Sequence, residues 1–273
     1  LVCPGFMASR TRQKEEARQR RIAAQQARLE RSRRERRLRI LGGTLLAAIA
    51  VMAVLIAVSS NSSGGNPVPK PGTAAATRVS GTVSSLLAGI SQGGNRLGSP
   101  TAPVTVTEFG DLECPLCQGF AFGAQKTLIA NDVRAGKVKL VFRSLCTATC
   151  NNAGQQVFTT QQAAAVAAGN QNREWDYVEL FYQLQGSETS SYVNDTYLNG
   201  LARLVPSLNY STWLSDRGSS SLASQVTQDQ QFAASNGWTS TPTLVVSGPK
   251  GTATPFQSAV DYPTLEAAIK AVS

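Results

Sequence analysis

The chain has 273 residues, 42% of them hydrophobic, five cysteines and no histidine, with a formal net charge of +9. The absence of histidine excludes Ser-His-Asp and Cys-His catalysis and every zinc site that needs imidazole, leaving cysteine as the strong nucleophile. Residues 1–39 hold 13 of the 26 Lys and Arg but only 4 of the 17 Asp and Glu, so the whole net charge sits in one tail. From Ile40 onward basic and acidic residues balance at 13 each, which gives nucleic-acid binding by the folded part no support.

The chain opens on Leu1, and Met7-Ala8-Ser9-Arg10 reads as a start, which makes residues 1–6, with Cys3, an upstream extension. Arg10 to Arg39 is rich in Arg, Gln, Ala and Glu and reads as a solvated cytoplasmic helix that enforces topology, with contact to acidic lipid or nucleic acid as the other uses of such a tail. Ile40 to Val58 is uncharged and apolar for 19 residues, about 28 Å as a helix, near the thickness of a bilayer core. That length favours an uncleaved transmembrane anchor over a signal peptide, although small residues at Ala57-Val58-Ser59 leave cleavage open. The arginines before the span place the N-terminus in the cytoplasm and everything after Ser59 outside, where disulfides persist.

Residues 59–85 read as a tether. Ser59 to about Thr77 is its Ser, Gly and Pro-rich part, and a short helix is expected over Val83 to Ile90. Val104 to Phe109 alternates like a strand and puts Val104, Val106 and Glu108 on one face. A carboxyl that shares a face with two valines is either a buried proton acceptor of raised pKa or a partly exposed edge glutamate.

Cys114-Pro115-Leu116-Cys117 follows, just before a helix-like run from Gln118 to Ala130. Thiols at a helix start gain from the free N–H groups and the dipole there, which favour the thiolate that attacks disulfides. Cys114 is then the exposed attacker and Cys117, one turn in, the resolving thiol. Lys137 to Arg143 reads as a second strand, and strand, helix, strand implies a parallel pair.

Cys146 and Cys150 close a very small loop, readable as a local structural disulfide, a second redox relay or two free thiols. A four-cysteine zinc site with Cys114 and Cys117 is disfavoured by the long intervening segment, and no metal is expected. Residues 157–236 carry a mostly helical pattern, with helices over Gln161 to Gly169, Trp175 to Leu184, Tyr197 to Val205 and Leu222 to Ala234, and behave as an inserted helical subdomain. Thr243 to Val246 is a strand led by Ser240-Thr241-Pro242, where a proline before a buried strand is resolved most often by a cis peptide. A further strand is expected around Pro255 to Ser258, and an amphipathic helix over Tyr262 to Val272 closes the chain.

This order resembles the thioredoxin fold of DsbA-like thiol:disulfide oxidoreductases from about residue 86 to 273, in the membrane-anchored bacterial form. The resemblance rests on Glu108 to Cys117, on Ser240-Thr241-Pro242-Thr243, and on Ala163 to Leu184 with Trp175. It implies that Cys114 is the nucleophile, Cys117 the resolving cysteine and Glu108 the buried proton acceptor. It also implies that Thr241 and Pro242 lie opposite Cys114 and, with Pro115 and Leu116, meet an extended substrate segment. The expected partners are secreted or cell-envelope proteins and a membrane re-oxidase of the DsbB or vitamin K epoxide reductase homologue type; no cofactor is implied. Leu116 stands where oxidising members often carry histidine, and Glu113 adds a like charge beside Cys114, so a less oxidising couple is expected. Cys146 and Cys150 match no family-wide feature. A reductase or isomerase using the same site, and a binding module stapled by Cys114 and Cys117, are the competing functions.

Overall fold

The computed structural model describes residues 68–273. The expected basic tail, the apolar segment at 40–58 and the first part of the tether lie outside the described residues. Among those that are described, no helix is long and apolar enough to cross a membrane.

The first described helix, α1, covers Ala74–Leu87, with Thr73 accepting from the Ala76 N–H at its N-terminus. It replaces the second half of the expected tether and begins well before the short helix expected at Val83. The reason is local: a capping threonine followed by three alanines starts a helix directly after the proline-rich segment.

Six strands form one sheet: β1 Gln92–Gly93, β2 Arg96–Leu97, β3 Val104–Gly110, β4 Val138–Ser144, β5 Thr243–Gly248 and β6 Gly251–Thr252, in the spatial order β1-β2-β4-β3-β5-β6. β3 is central, parallel to β4 as the crossover required and antiparallel to β5. The strand expected around Pro255 to Ser258 is reduced to a single bridge between Leu244 and Phe256.

Between β3 and β4 runs α2, residues 115–133, longer than expected. It is α-helical over Pro115–Phe120 and Lys126–Leu128, and widens into π-helical turns over Ala121–Gln125 and Ile129–Val133. Gly136, at φ +69°, ends the crossover in the left-handed conformation that glycine adopts freely.

The helical insertion comprises α3 Ala148–Asn152, α4 Gln155–Gly169, α5 Glu174–Gln183, α6 Asp195–Leu204, α7 Tyr210–Asp216 and α8 Ser220–Ser235; α9 Tyr262–Val272 ends the chain. One sheet face, formed by Val104, Val106, Val138, Leu140, Leu244 and Val246, is buried in the same core as Cys117, Phe120, Leu128, Leu265 and Ile269. On the other face Phe109 packs against Leu145, Ala233 and Trp238. The Arg143 guanidinium lies over both the Phe109 and Phe232 rings and pairs with Asp229 at 2.7 Å, so α8 is fastened to β4. The Trp238 ring meets Phe109 edge-on at 4.9 Å and anchors the chain just before Thr241.

Candidate active site

Cys114 is the N-cap residue of α2 and is extended at φ −73°, ψ 122°, with Pro115 at the first helical position, where a missing N–H costs nothing. The sulfur therefore faces the free N–H groups of the first turn. Gln185, beyond α5, donates to the Leu112 carbonyl at 2.6 Å and to the Cys114 carbonyl at 3.2 Å, which ties the motif to the insertion. Cys114 and Cys117 are both free thiols, and both are buried: Cys117 is fully covered and Cys114, expected to be exposed, is only 5% exposed because Thr241 lies against it.

Their environments push the two thiols apart. A hydrogen bond from Cys117 leads the causes that lower Cys114 to about 6, with burial opposing and Thr241 and the N–H groups of Cys117 and Leu116 assisting. Burial raises Cys117 well above the ordinary thiol range, and the bond to Cys114 and the charge of Glu108 add to it. One thiol is thus a thiolate near neutrality and the other keeps its proton.

Thr241 and Pro242 are joined by a cis peptide and both are buried. The Cys114 thiol donates to the Thr241 carbonyl at 3.5 Å, so the loop lies against the helix start. Pro115 and Leu116 are exposed beside it, Leu116 by 58%. A concavity of about 940 Å³ between α1, α2 and α5, lined by Arg78, Leu86, Phe122, Lys126 and Glu179 among others, includes neither cysteine.

Glu108 is fully buried, and the sheet register explains why: its neighbours are Phe142 on β4 and Leu244 on β5. Burial raises its pKa well above the usual range, and the charges of Glu179 and Cys114 raise it further. The Tyr182 hydroxyl is near enough to favour ionisation, yet neither it nor the carboxyl oxygens complete a hydrogen bond. The exposed-edge alternative for Glu108 is thereby excluded. Gly110, two residues on, leaves room for this arrangement: a Cβ there would lie 2.7 Å from the Phe142 ring and 3.1 Å from Glu108 Oε1.

Two features escaped the sequence, the burial of Glu113 and the tertiary partners of Asp111, whereas the local disulfide at Cys146 and Cys150 was among its readings. Glu113 is buried and raised by that burial to about 7, so its like charge on Cys114 weighs less than its adjacency implied. Asp111, fully buried, accepts from the N–H groups of Glu113, Thr147 and Thr149, the Thr149 hydroxyl and the Gln161 amide. An aspartate straight after a strand signals a side chain bonded to its own turn, but its partners near 147 and 161 are tertiary. Cys146 and Cys150 form a disulfide with Cα atoms 5.7 Å apart, which removes the free-thiol and zinc alternatives. Among the described residues no cluster fit to hold a metal ion occurs.

The chain matches the thioredoxin family over residues 91–271. Disulfide bond formation protein D of Bacillus subtilis is 27% identical over 156 residues, 55% of this chain and 66% of that protein, so the match spans just under two thirds of the relative's length. The probable disulfide bond formation protein D of Bacillus anthracis is 25% identical over 159 residues, 56% of this chain and 69% of that protein. Among solved structures, oxidised BdbD of Bacillus subtilis superposes with a TM-score of 0.56 at 22% identity, covering 67% of this chain and 97% of that one. DsbA2 of Pseudomonas aeruginosa follows with a TM-score of 0.52 at 21% identity, covering 66% and 94%. At these identities the structural likeness speaks to the fold.

Proposed function

The chain belongs to the thioredoxin family, and on that premise we propose that it is a thiol:disulfide oxidoreductase that forms disulfides in secreted or cell-envelope proteins through Cys114 and Cys117. The observation that carries this reading is the pairing of an acidic thiol at the α2 N-terminus with a buried, proton-retaining partner, beside the Thr241 carbonyl. The names of the Bacillus relatives support the direction.

In the oxidised protein a substrate thiolate attacks Cys114 Sγ, the Cys114–Cys117 bond breaks, and Cys117 leaves with the electron pair. The protonated Glu108 carboxyl returns a proton to it. The second substrate thiolate then attacks the substrate sulfur of the mixed disulfide, forming the product disulfide and expelling Cys114 as thiolate. A sulfur with a pKa of about 6 is a good leaving group, which favours oxidation of substrate over its reduction. The two electrons left on the Cys114 thiolate and the Cys117 thiol pass to a membrane re-oxidase, and the one proton on Cys117 returns to Glu108 as the disulfide re-forms, the substrate thiols having released theirs to solvent. Leu116, Pro115 and Pro242 give the substrate segment an apolar contact, and the Thr241 backbone offers it strand-like pairing. Residues 1–39 and 40–58 support a single-pass anchor with the domain that follows, α1 included, outside the membrane.

The test is recovery of activity by a reduced, unfolded disulfide-containing enzyme. The oxidised protein is expected to restore it and C114S to abolish the effect; equal recovery with C114S would contradict the reading.

A further inference from the structure

The loop closed by Cys146 and Cys150 touches both sides of the dithiol site. On one side Thr147 and Thr149 donate their N–H groups to Asp111 Oδ2 at 2.9 Å each, and the Asp111 carbonyl accepts the Cys114 N–H at 3.0 Å. On the other side Thr147 Oγ1 lies 2.5 Å from Thr241 Oγ1. Thr241 in turn accepts from the Cys114 thiol through its carbonyl, and its hydroxyl favours the thiolate.

Two hydroxyls at that distance share one hydrogen bond and one of them donates. If Thr241 donates, its only proton is spent on Thr147; if Thr147 donates, the Thr241 proton is free for the sulfur. Bonds to an anion are the stronger kind, and a chain of donors all pointing at the charge polarises cooperatively. A thiolate at Cys114 therefore selects the second arrangement. Thr147 can hold it because its N–H is fixed by Asp111 and the five-residue loop it sits in is closed by the Cys146–Cys150 disulfide, which leaves the loop few other shapes.

We propose that Thr147, clamped in the Cys146–Cys150 loop, is a positioning residue for Cys114: its hydroxyl donates to Thr241 Oγ1 and turns the Thr241 hydroxyl proton towards the Cys114 sulfur. The second disulfide thus serves the first site without exchanging electrons with it. The inference rests on Cys114 being the attacking thiol.

The test follows alkylation of Cys114 in the full chain by iodoacetamide as a function of pH, read by peptide mass spectrometry, in wild type, T147V, T147S and C146S/C150S. The titratable groups around the sulfur are Cys117, Glu108 on β3, Glu113 beside it and Tyr182 on α5, and all three variants retain them. T147V is expected to move the alkylation midpoint up by about half a pH unit or more, roughly a threefold loss of thiolate below the midpoint. T147S, which keeps the hydroxyl, stays with wild type, and C146S/C150S shifts in the direction of T147V. A T147V midpoint equal to wild type overturns the proposal, even where the variant melts at lower temperature, because a merely structural loop changes stability alone. Should the double variant fail to fold, the T147V and T147S pair decides. No alkylation of wild-type Cys114 near neutral pH is a different outcome: it sinks the assignment of Cys114 itself.

Discussion

Cys114 Sγ lies 3.5 Å from the carbonyl oxygen of Thr241, a residue 127 positions away in sequence. A helix N-terminus and a strand-leading loop thus meet at one sulfur, and each contributes hydrogen bonds that decide whether it carries a charge. Because the bond from Cys117 is the leading cause of the low Cys114 pKa, C117A is expected to raise the alkylation midpoint of Cys114 from about 6 towards the ordinary thiol value. C117S, which retains a donor, is expected to shift it less. Cys117 itself is expected to stay unmodified in the folded protein, since it is covered and its pKa is raised.

In the proposed mechanism Glu108, whose charge acts on Cys117, exchanges a proton with the resolving thiol. Replacing Glu108 with Gln keeps the volume and removes the exchange, so E108Q is expected to slow breakdown of a Cys114 mixed disulfide by roughly 100-fold or more. Alkylation of Cys114 in E108Q is expected to change little. Stopped-flow fluorescence with a labelled peptide disulfide separates the two steps. E108L is expected to be more stable than wild type in urea, because a buried carboxyl with unpartnered oxygens is exchanged for an apolar side chain.

Helix α5 buries Glu174 and Glu179, and desolvation raises them to about 8 and about 7. Groups of this kind bind protons in the folded state between pH about 4.5 and 8 that the unfolded chain has released. Their stabilisation is complete below that window and is lost as pH rises through it. The melting temperature of the oxidised protein is therefore expected to be higher at pH 5 than at pH 8. E174Q and E179Q are expected to flatten the dependence. The oxidised form is the one to use, because the low pKa of Cys114 gives the reduced form an opposing trend: its stabilisation is lost as pH falls through about 6.

Asp111 holds the turn before the motif, the disulfide loop and α4 in one set of hydrogen bonds. D111A leaves the Thr147 and Thr149 N–H groups without a partner inside the protein. A loss of roughly 3 kcal/mol or more is expected in chemical denaturation. A loss under about 0.5 kcal/mol would mean that water replaces the carboxyl at little cost.

Where periodicity was strong, the sequence was sufficient. β3, β4 and α9 follow from alternation and from the Leu265, Ile269 and Val272 stripe, and the strand order around the motif carried the fold class. The two-residue strands β1 and β2 hold no period to read; they exist because Leu97 and Arg96 pair with Leu140 and Val141. α3 and α7 were missed because five and seven residues are too few to show a helical repeat. At the site, Cys114, Cys117 and Glu108 were visible because each sits on a regular element. Asp111, Thr147 and Gln185 were not, since their work is done by contacts to residues 36 to 94 positions away.

The most direct test of the central claim is the reduction potential of the Cys114–Cys117 couple, with the protein equilibrated in glutathione buffers and the thiols trapped and counted by mass. The account expects a mixed disulfide at Cys114 and a potential between about −120 and −200 mV. Failure of Cys114 to exchange with glutathione, or a potential near −270 mV or below, would contradict a disulfide donor.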